Sequence, residues 1–223
     1  LSVTTQDPER RFVRHIRFWM PELSNCQNAR ITMQITTHFH NTLPKTESKQ
    51  IAEARKLVAI PLVYHQAYSA PLPSSHRFPM AKFRMLFEAL KASGLAESAQ
   101  VHTPLPVPRR WLETVHQRHY HEAFARGKLD RQAQRRIGLP ATTPLVQRTW
   151  LSVGGTLLTA RLALAHGVAC HLAGGTHHAF PDYGSGFCIF NDIAVSARVL
   201  LDEGCLERLM IVDLDVHQGD ATA

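Results

Sequence analysis

A chain of 223 residues, 44% of them hydrophobic, is long enough to bury one ordinary core, which excludes wholesale disorder. Its 25 Lys and Arg against 18 Asp and Glu give a net charge of +7 and a pI near 9.6. That basicity is diffuse, so direct nucleic-acid binding is not expected. No apolar run reaches the roughly 18 residues that cross a bilayer, so no membrane partner is expected, and Arg10, Arg11, Arg14 and Arg17 interrupt any secretory signal.

Residues 1–56 show no clear period and carry nine Lys or Arg against five Asp or Glu. They are read as an N-terminal extension. Asp7, Glu9 and Glu22 argue against an organelle leader there. The His38-Phe39-His40 pair lacks Cys or carboxylate neighbours and reads as surface rather than metal site. Cys26, Cys170, Cys188 and Cys205 have no CxxC spacing. They are expected to be reduced thiols in a cytosol-like compartment or, in a eukaryote, in the nucleus or an organelle.

From residue 57 to 223 the text becomes that of a folded domain. Leu57 to Tyr64 favours a first strand, and Pro71, Pro73 and Pro79 punctuate the following loop. Phe83, Leu86, Phe87 and Leu90 at helical spacing predict a helix from Met80 to Ala92, stopped by Gly94. Val101 to Val107 reads as a second strand, with Pro104 and Pro106 arguing for a sheet edge. Arg109 to Arg126 reads as a helix with Leu112, Val115, His119 and Phe124 in the core, followed by a polar link through Arg136. Thr149 to His166 is a long helix, in which Gly154-Gly155 implies close backbone packing against a neighbour. Val168 to Leu172 predicts a third strand and Asn191 to Leu201 another helix. Leu209 to Val216 is the clearest strand of all. Strands alternating with helices imply an α/β fold, three-layered, with a mostly parallel sheet and helices on both faces. Chemistry then gathers outside the carboxyl ends of the strands.

Three clusters carry chemistry. Asp213, Asp215 and His217 alternate with Val212, Leu214 and Val216, so a strand would present all three polar groups on one face. Two buried carboxylates beside an imidazole call for a cation, and Asp215 and His217 could grip one metal while Asp213 orients a neighbour. The second cluster, Gly174-Gly175-Thr176-His177-His178-Ala179-Phe180, puts two imidazoles, common general acids and bases near neutral pH, at a strand-to-loop turn. The third, Gly184-Ser185-Gly186-Phe187-Cys188-Ile189-Phe190-Asn191-Asp192, reads as a tight loop that could line a narrow slot. Cys188 is expected to be a buried small residue rather than a nucleophile.

In this order the three clusters resemble the histone deacetylase family, including bacterial relatives that act on other acetylated amines, over roughly Leu57 to Ala223. The Pro73 to Met80 loop and the Trp111 to Tyr120 stretch look most like its class IV. The resemblance implies the arginase/deacetylase-like version of the fold and one Zn2+ per site. Asp215 and His217 would be two of three zinc ligands, and backbone oxygens around Asp213, Asp215 and His217 would form a structural K+ site. It further implies that His177 and His178 are catalytic, with Asp213 paired to the first and Asp220 to the second, and that Gly186 and Phe187 bind the stem of an acetylated lysine. The substrate would be an acetylated protein, histone or other, or a small acetylated amine. The oligomeric state is left open.

Leu1 in place of Met, and an end in Ala221-Thr222-Ala223 directly after a polar motif, read as a fragment. The sheet is expected to be incomplete at its C-terminus, the third ligand and an oxyanion-stabilising Tyr to be missing, and the chain alone to be inactive. The alternatives are a truncated, non-catalytic binding protein, or an arginase-like enzyme, which would need D-x-H-x-D rather than the D-x-D-x-H found here.

Overall fold

The computed structural model describes residues 14–18, 31–35, 60–96 and 100–223. The His38/His40 pair, Cys26 and the Leu57–Ala59 start of the expected first strand lie outside them. The described residues among the first 56 form two strands, β1 (Arg14–Phe18) and β2 (Ile31–Ile35), paired antiparallel with Ile16 opposite Met33. No strand was expected there, although Ile31, Met33 and Ile35 alternate with Thr32 and Gln34 over five residues, near the short end of the range in which a period of two is readable.

The α/β domain is built on three short parallel strands in the order β4-β3-β5: β3 (Leu62–Val63), β4 (Val101–His102) and β5 (Cys170–His171). Leu62 stands opposite Val101 on one side and Cys170 on the other. β4 therefore takes an edge of this sheet, where the nearby Pro104 and Pro106 cost no ladder hydrogen bond. Among the described residues six helices accompany it: α1 (Lys82–Ala92), α2 (Arg109–Leu112), α3 (Arg118–Ala125), α4 (Arg131–Ile137), α5 (Thr143–His166) and α6 (Asp192–Asp202).

α5 is the spine. Its 24 residues span about 36 Å at the usual helical rise, and it packs on β3, β5, α6 and the 3-10 turn Gln66–Tyr68. The glycine pair serves the close approach read from the sequence. A Cβ on Gly154 would overlap the backbone oxygen of Leu105, and one on Gly155 would overlap the Tyr68 hydroxyl and the His171 ring. The core beside it is aromatic. Phe190 meets Tyr120, Phe124 and Trp150 edge-on at centroid distances of 5.9, 5.6 and 5.8 Å, the arrangement that ring quadrupoles favour.

Three expected elements differ. The single helix Arg109–Arg126 is two helices, because the chain turns at residues 113–117 to send the His116 imidazole inward; His116 is 1% exposed while His119 is exposed. The polar link holds α4, capped by the Asp130 carboxylate, whose Oδ1 accepts the Ala133 N–H at 2.7 Å. Leu209–Val216 is not a strand. Its apolar side chains are exposed, Met210 by 61% and Leu214 by 75%. Its own carboxylates satisfy the backbone there: Asp213 Oδ1 accepts from the Asp215 N–H (2.9 Å) and Asp215 Oδ1 from the His217 N–H (2.7 Å). Such side-chain turns compete with a ladder wherever no neighbouring strand supplies one. Among the described residues no helix is long and apolar enough to cross a membrane.

Candidate active site

The site grows from the loop after β5. Asp192, fully buried at the start of α6, accepts hydrogen bonds from the backbone N–H groups of Gly175 (3.1 Å) and Thr176 (2.7 Å) and from the hydroxyls of Thr176 and Thr156. A carboxylate this deep is tolerable only when its lone pairs are filled. Filling them fixes the Gly174–Thr176 bend that launches the two histidines. Thr156 also contacts His171 Nδ1 (3.0 Å), and His171 Nε2 contacts the Tyr68 hydroxyl (2.7 Å). Burial pulls the His171 pKa down to about 4. The Arg148 guanidinium is buried alongside, donating from Nε to the Tyr68 carbonyl at 3.0 Å, and desolvation lowers its pKa to about 10.

A second brace comes from His116. Its Nδ1 donates to the Phe180 carbonyl (3.0 Å), and its Nε2 accepts the Asn191 N–H (2.8 Å). The imidazole thus ties the end of the twin-histidine loop to the cap of α6. Asn191 caps that helix through Oδ1 to the Ala194 N–H (2.9 Å). Its amide donates to the Ala221 carbonyl (3.1 Å) and the Thr222 hydroxyl (2.9 Å), while the Ala221 N–H reaches the His177 carbonyl (3.2 Å). These bonds clip the segment after Asp220 against the histidine loop.

His177 is buried and His178 half-buried, their rings 4.1 Å apart. His177 Nδ1 lies 2.6 Å from Asp213 Oδ2, and His178 Nδ1 lies 2.9 Å from Asp220 Oδ1. With both Nδ1 atoms engaged by carboxylates, the Nε2 atoms are left to face the site. His177 Nε2 stands 4.0 Å from Asp215 Oδ1, and the His217 ring lies 6.0 Å from that of His178. Asp213, Asp215 and His217 thus reach the histidine pair without a strand to carry them. The hydrogen bond from His177 holds the Asp213 carboxyl below its usual range; those from the His217 backbone and ring do the same for Asp215, and that from His178 for Asp220.

Asp215 Oδ1 and His217 Nδ1 are 2.9 Å apart and share one hydrogen bond. Donors about 2.0–2.2 Å from a zinc ion sit roughly 3.3 Å from each other in a tetrahedral shell. At 2.9 Å, with a proton between them, this oxygen and nitrogen would have to part by a few tenths of an ångström and give up that proton to take two of its positions. Among the described residues no group of three or more His, Cys, Asp or Glu side chains could hold a metal.

The slot loop is a two-residue turn. Ser185 and Cys188 exchange backbone hydrogen bonds of 3.0 and 2.7 Å, with Gly186 (φ 52°) and Phe187 (φ 66°) between them. Positive φ at both central positions is the type I′ pattern. Phe187 is the only non-glycine with positive φ among the described residues, a strain of about 1–2 kcal/mol. What holds it is α4: the Gly186 and Phe187 N–H groups donate to the Arg136 (3.2 Å) and Ile137 (2.8 Å) carbonyls. Gly186 runs beside His178, where a Cβ would come within 3.0 Å of the ring. Cys188 is buried as expected, and burial pushes its thiol up to about 11, away from thiolate chemistry. Cys170 and Cys205 are also free thiols.

Sequence reading named eight candidate site residues but gave no role to His116 or Asp192, and none to Asn191. Asn191 carries a local signal, an Asn one residue before a helix. His116 has none, because its partners lie 64 and 75 positions away.

Residues 76–223 match the histone deacetylase domain model. An uncharacterised protein of Picosynechococcus sp. is 55% identical over 166 residues, covering 74% of this chain and 55% of that protein. The acetoin utilization protein AcuC of Staphylococcus aureus is 32% identical over 157 residues, covering 66% of this chain and 40% of its own. The crystal structure of a histone deacetylase homolog from Aquifex aeolicus superimposes with a TM-score of 0.64 at 22% identity, over 73% of this chain and 46% of the homolog. The chain spans about half the length of the curated relatives it matches. With the domain model covering the loop, the slot turn and the Asp213–Asp220 segment together, the chain belongs to the histone deacetylase family.

Proposed function

We propose that the protein is a zinc-dependent amidohydrolase that removes acetyl groups from lysine side chains, histone or other, or from related acetylated amines. The observation that supports it most is the pairing of two adjacent imidazoles with two separate carboxylates beside a convergent oxygen and nitrogen donor pair.

Asp215 and His217 would hold the zinc, with a third ligand from outside the described residues; backbone oxygens at Asp213, Asp215 and His217 are the candidates for a potassium site. Bound there, zinc supplies Lewis-acid polarisation of an amide carbonyl. The chain's own residues handle the protons. Asp213, accepting from His177 Nδ1, leaves the Nε2 lone pair free to take a proton from the attacking water. Asp220 orients His178 in the same way beside the departing amine, and the proton taken up by His177 passes on to that amine. A C–O bond forms at the acetyl carbon, the C–N bond breaks, and the amine leaves with the proton. Phe187, on its strained turn, offers an aromatic wall to a long aliphatic stem.

The test is acetate release from an acetyl-lysine peptide by the full-length product of the gene, supplied with zinc. Chelation should abolish release and added zinc restore it. His177→Ala should lower kcat about 10²–10⁴-fold, and Asp213→Asn about 10–100-fold. A His177→Ala protein that keeps the wild-type rate rules the mechanism out.

A further inference from the structure

Beside the Phe187 turn lies an open cavity of about 440 Å3 lined by His76, Arg131, Gln134, Arg135, Gly138 and the Leu139-Pro140 step. It shares a wall with the slot. A Cβ on Gly138 would stand 3.1 Å from the Phe187 ring, and His76 lies 6.3 Å from that ring and bonds the Gly138 carbonyl at 3.0 Å. Two more guanidinium groups flank it. Arg77 lies over the Phe187 ring at 4.9 Å and Arg136 over the Tyr183 ring at 4.5 Å.

These four arginines, like the exposed Arg110 over Trp111, differ from most others on the surface. Arg84, Arg109, Arg118, Arg126, Arg161 and Arg198 each meet a carboxylate. Arg77, Arg131, Arg135 and Arg136 have no ion pair among the described residues. The same stretches hold two carboxylates. Asp130 is spent on capping α4 at the Ala133 N–H, and Asp182 is exposed beside Tyr183. Both ring nitrogens of His76 are committed as well, Nε2 to Gly138 and Nδ1 as acceptor from the Phe78 N–H at 3.1 Å. What remains without a carboxylate partner beside Phe187 is positive charge, part of it lining a concavity. Guanidinium groups in that setting select carboxylates geometrically as well as by charge.

We infer that this cavity binds acidic side chains flanking the acetylated lysine, so that the substrate is an acidic peptide segment rather than a basic tail. The inference rests on the deacetylase reading for the identity of the group in the slot, and on the arginines alone for the flanking charge.

Fluorescence anisotropy with labelled peptides tests it, the central acetyl-lysine being flanked by Glu, by Gln or by Arg. Two exposed carboxylate–guanidinium contacts should give the Glu peptide about 10-fold tighter binding than the Gln peptide at low salt, with the Arg peptide weakest. The advantage should shrink as ionic strength rises. Arg131→Gln with Arg135→Gln should bring the Glu and Gln peptides together, and Arg131→Glu with Arg135→Glu should reverse their order. Lys91→Glu with Arg198→Glu, equal in charge but outside the cavity, should leave the order intact. If the cavity reversal changes nothing, or the remote reversal changes as much, the site is refuted. The same peptides with unmodified lysine separate the two ideas. A preference for Glu that persists with no effect of acetylation would sink the deacetylase reading and keep the acidic-flank site.

Discussion

Replacing His116 by Gln isolates one buried imidazole as a source of acid sensitivity. His116 is 1% exposed, and burial lowers its pKa from 6.5 to about 4. The Phe180 and Pro181 carbonyls pull it upward but are outweighed by burial, and a second proton on Nε2 would face the Asn191 N–H that now donates to it. Above pH 6.5 neither the folded nor the unfolded chain protonates this ring, so its contribution to stability is complete. Between 6.5 and about 4 the unfolded chain takes up a proton and the folded chain does not, so stability falls as pH falls. Linkage gives a loss of about 2 kcal/mol at pH 5 and about 3 kcal/mol at pH 4 from this residue alone. His171, also held at about 4, adds a loss in the same window, and together the two rival a typical total stability of about 5–15 kcal/mol. Gln can donate to the Phe180 carbonyl and accept from Asn191 without titrating. Urea unfolding at pH 7 and pH 5 should therefore show a pH-dependent drop about 2 kcal/mol smaller in His116→Gln than in the wild type. Equal drops in the two proteins would refute the assignment.

Gly154→Ala opposes two effects of known sign. Helix propensity favours Ala by up to about 1 kcal/mol, while the new Cβ overlaps the backbone oxygen of Leu105, which cannot rotate away, at a cost of about 1–3 kcal/mol or more. The overlap should win, lowering Tm by several degrees in a thermal melt; an unchanged or raised Tm would contradict the packing. Asp192→Asn removes the charge that gathers two backbone N–H groups and two hydroxyls beside Arg148. It should destabilise the chain by about 3–5 kcal/mol. Hydrogen exchange at Gly175 and Thr176 should accelerate more than exchange in α4; uniform acceleration would assign Asp192 to general stability alone.

What the sequence could announce were features whose cause is local. The twin histidines stand one residue apart along the chain, the Gly186-Phe187 turn needs only its own two φ angles, and Asn191 caps the helix it precedes. The first two were named from the residues, and the third was legible although the reading took Asn191 as the first residue of the helix rather than its cap. The braces that make the site a site are long-range: His116 to Phe180 and Asn191, Asp192 back to Thr156 and Thr176. No spacing rule encodes a contact 75 positions apart. The segment Leu209–Val216 shows the opposite failure. Its alternation of apolar and polar residues describes a strand, but alternation states only which faces a strand would have; ladder partners decide whether one forms. With Asp213 and Asp215 free to bond the N–H two residues onward, the chain meets its backbone demand alone, and the same two side chains are still delivered to His177. The placement of Asp213 and Asp215 therefore depends less on the strand than on the clip formed by Asn191, Ala221 and His177. That clip joins the two ends of the site through the backbone, so side-chain changes at Val212 or Leu214, both exposed, should move the carboxylates far less than loss of the Asn191 amide.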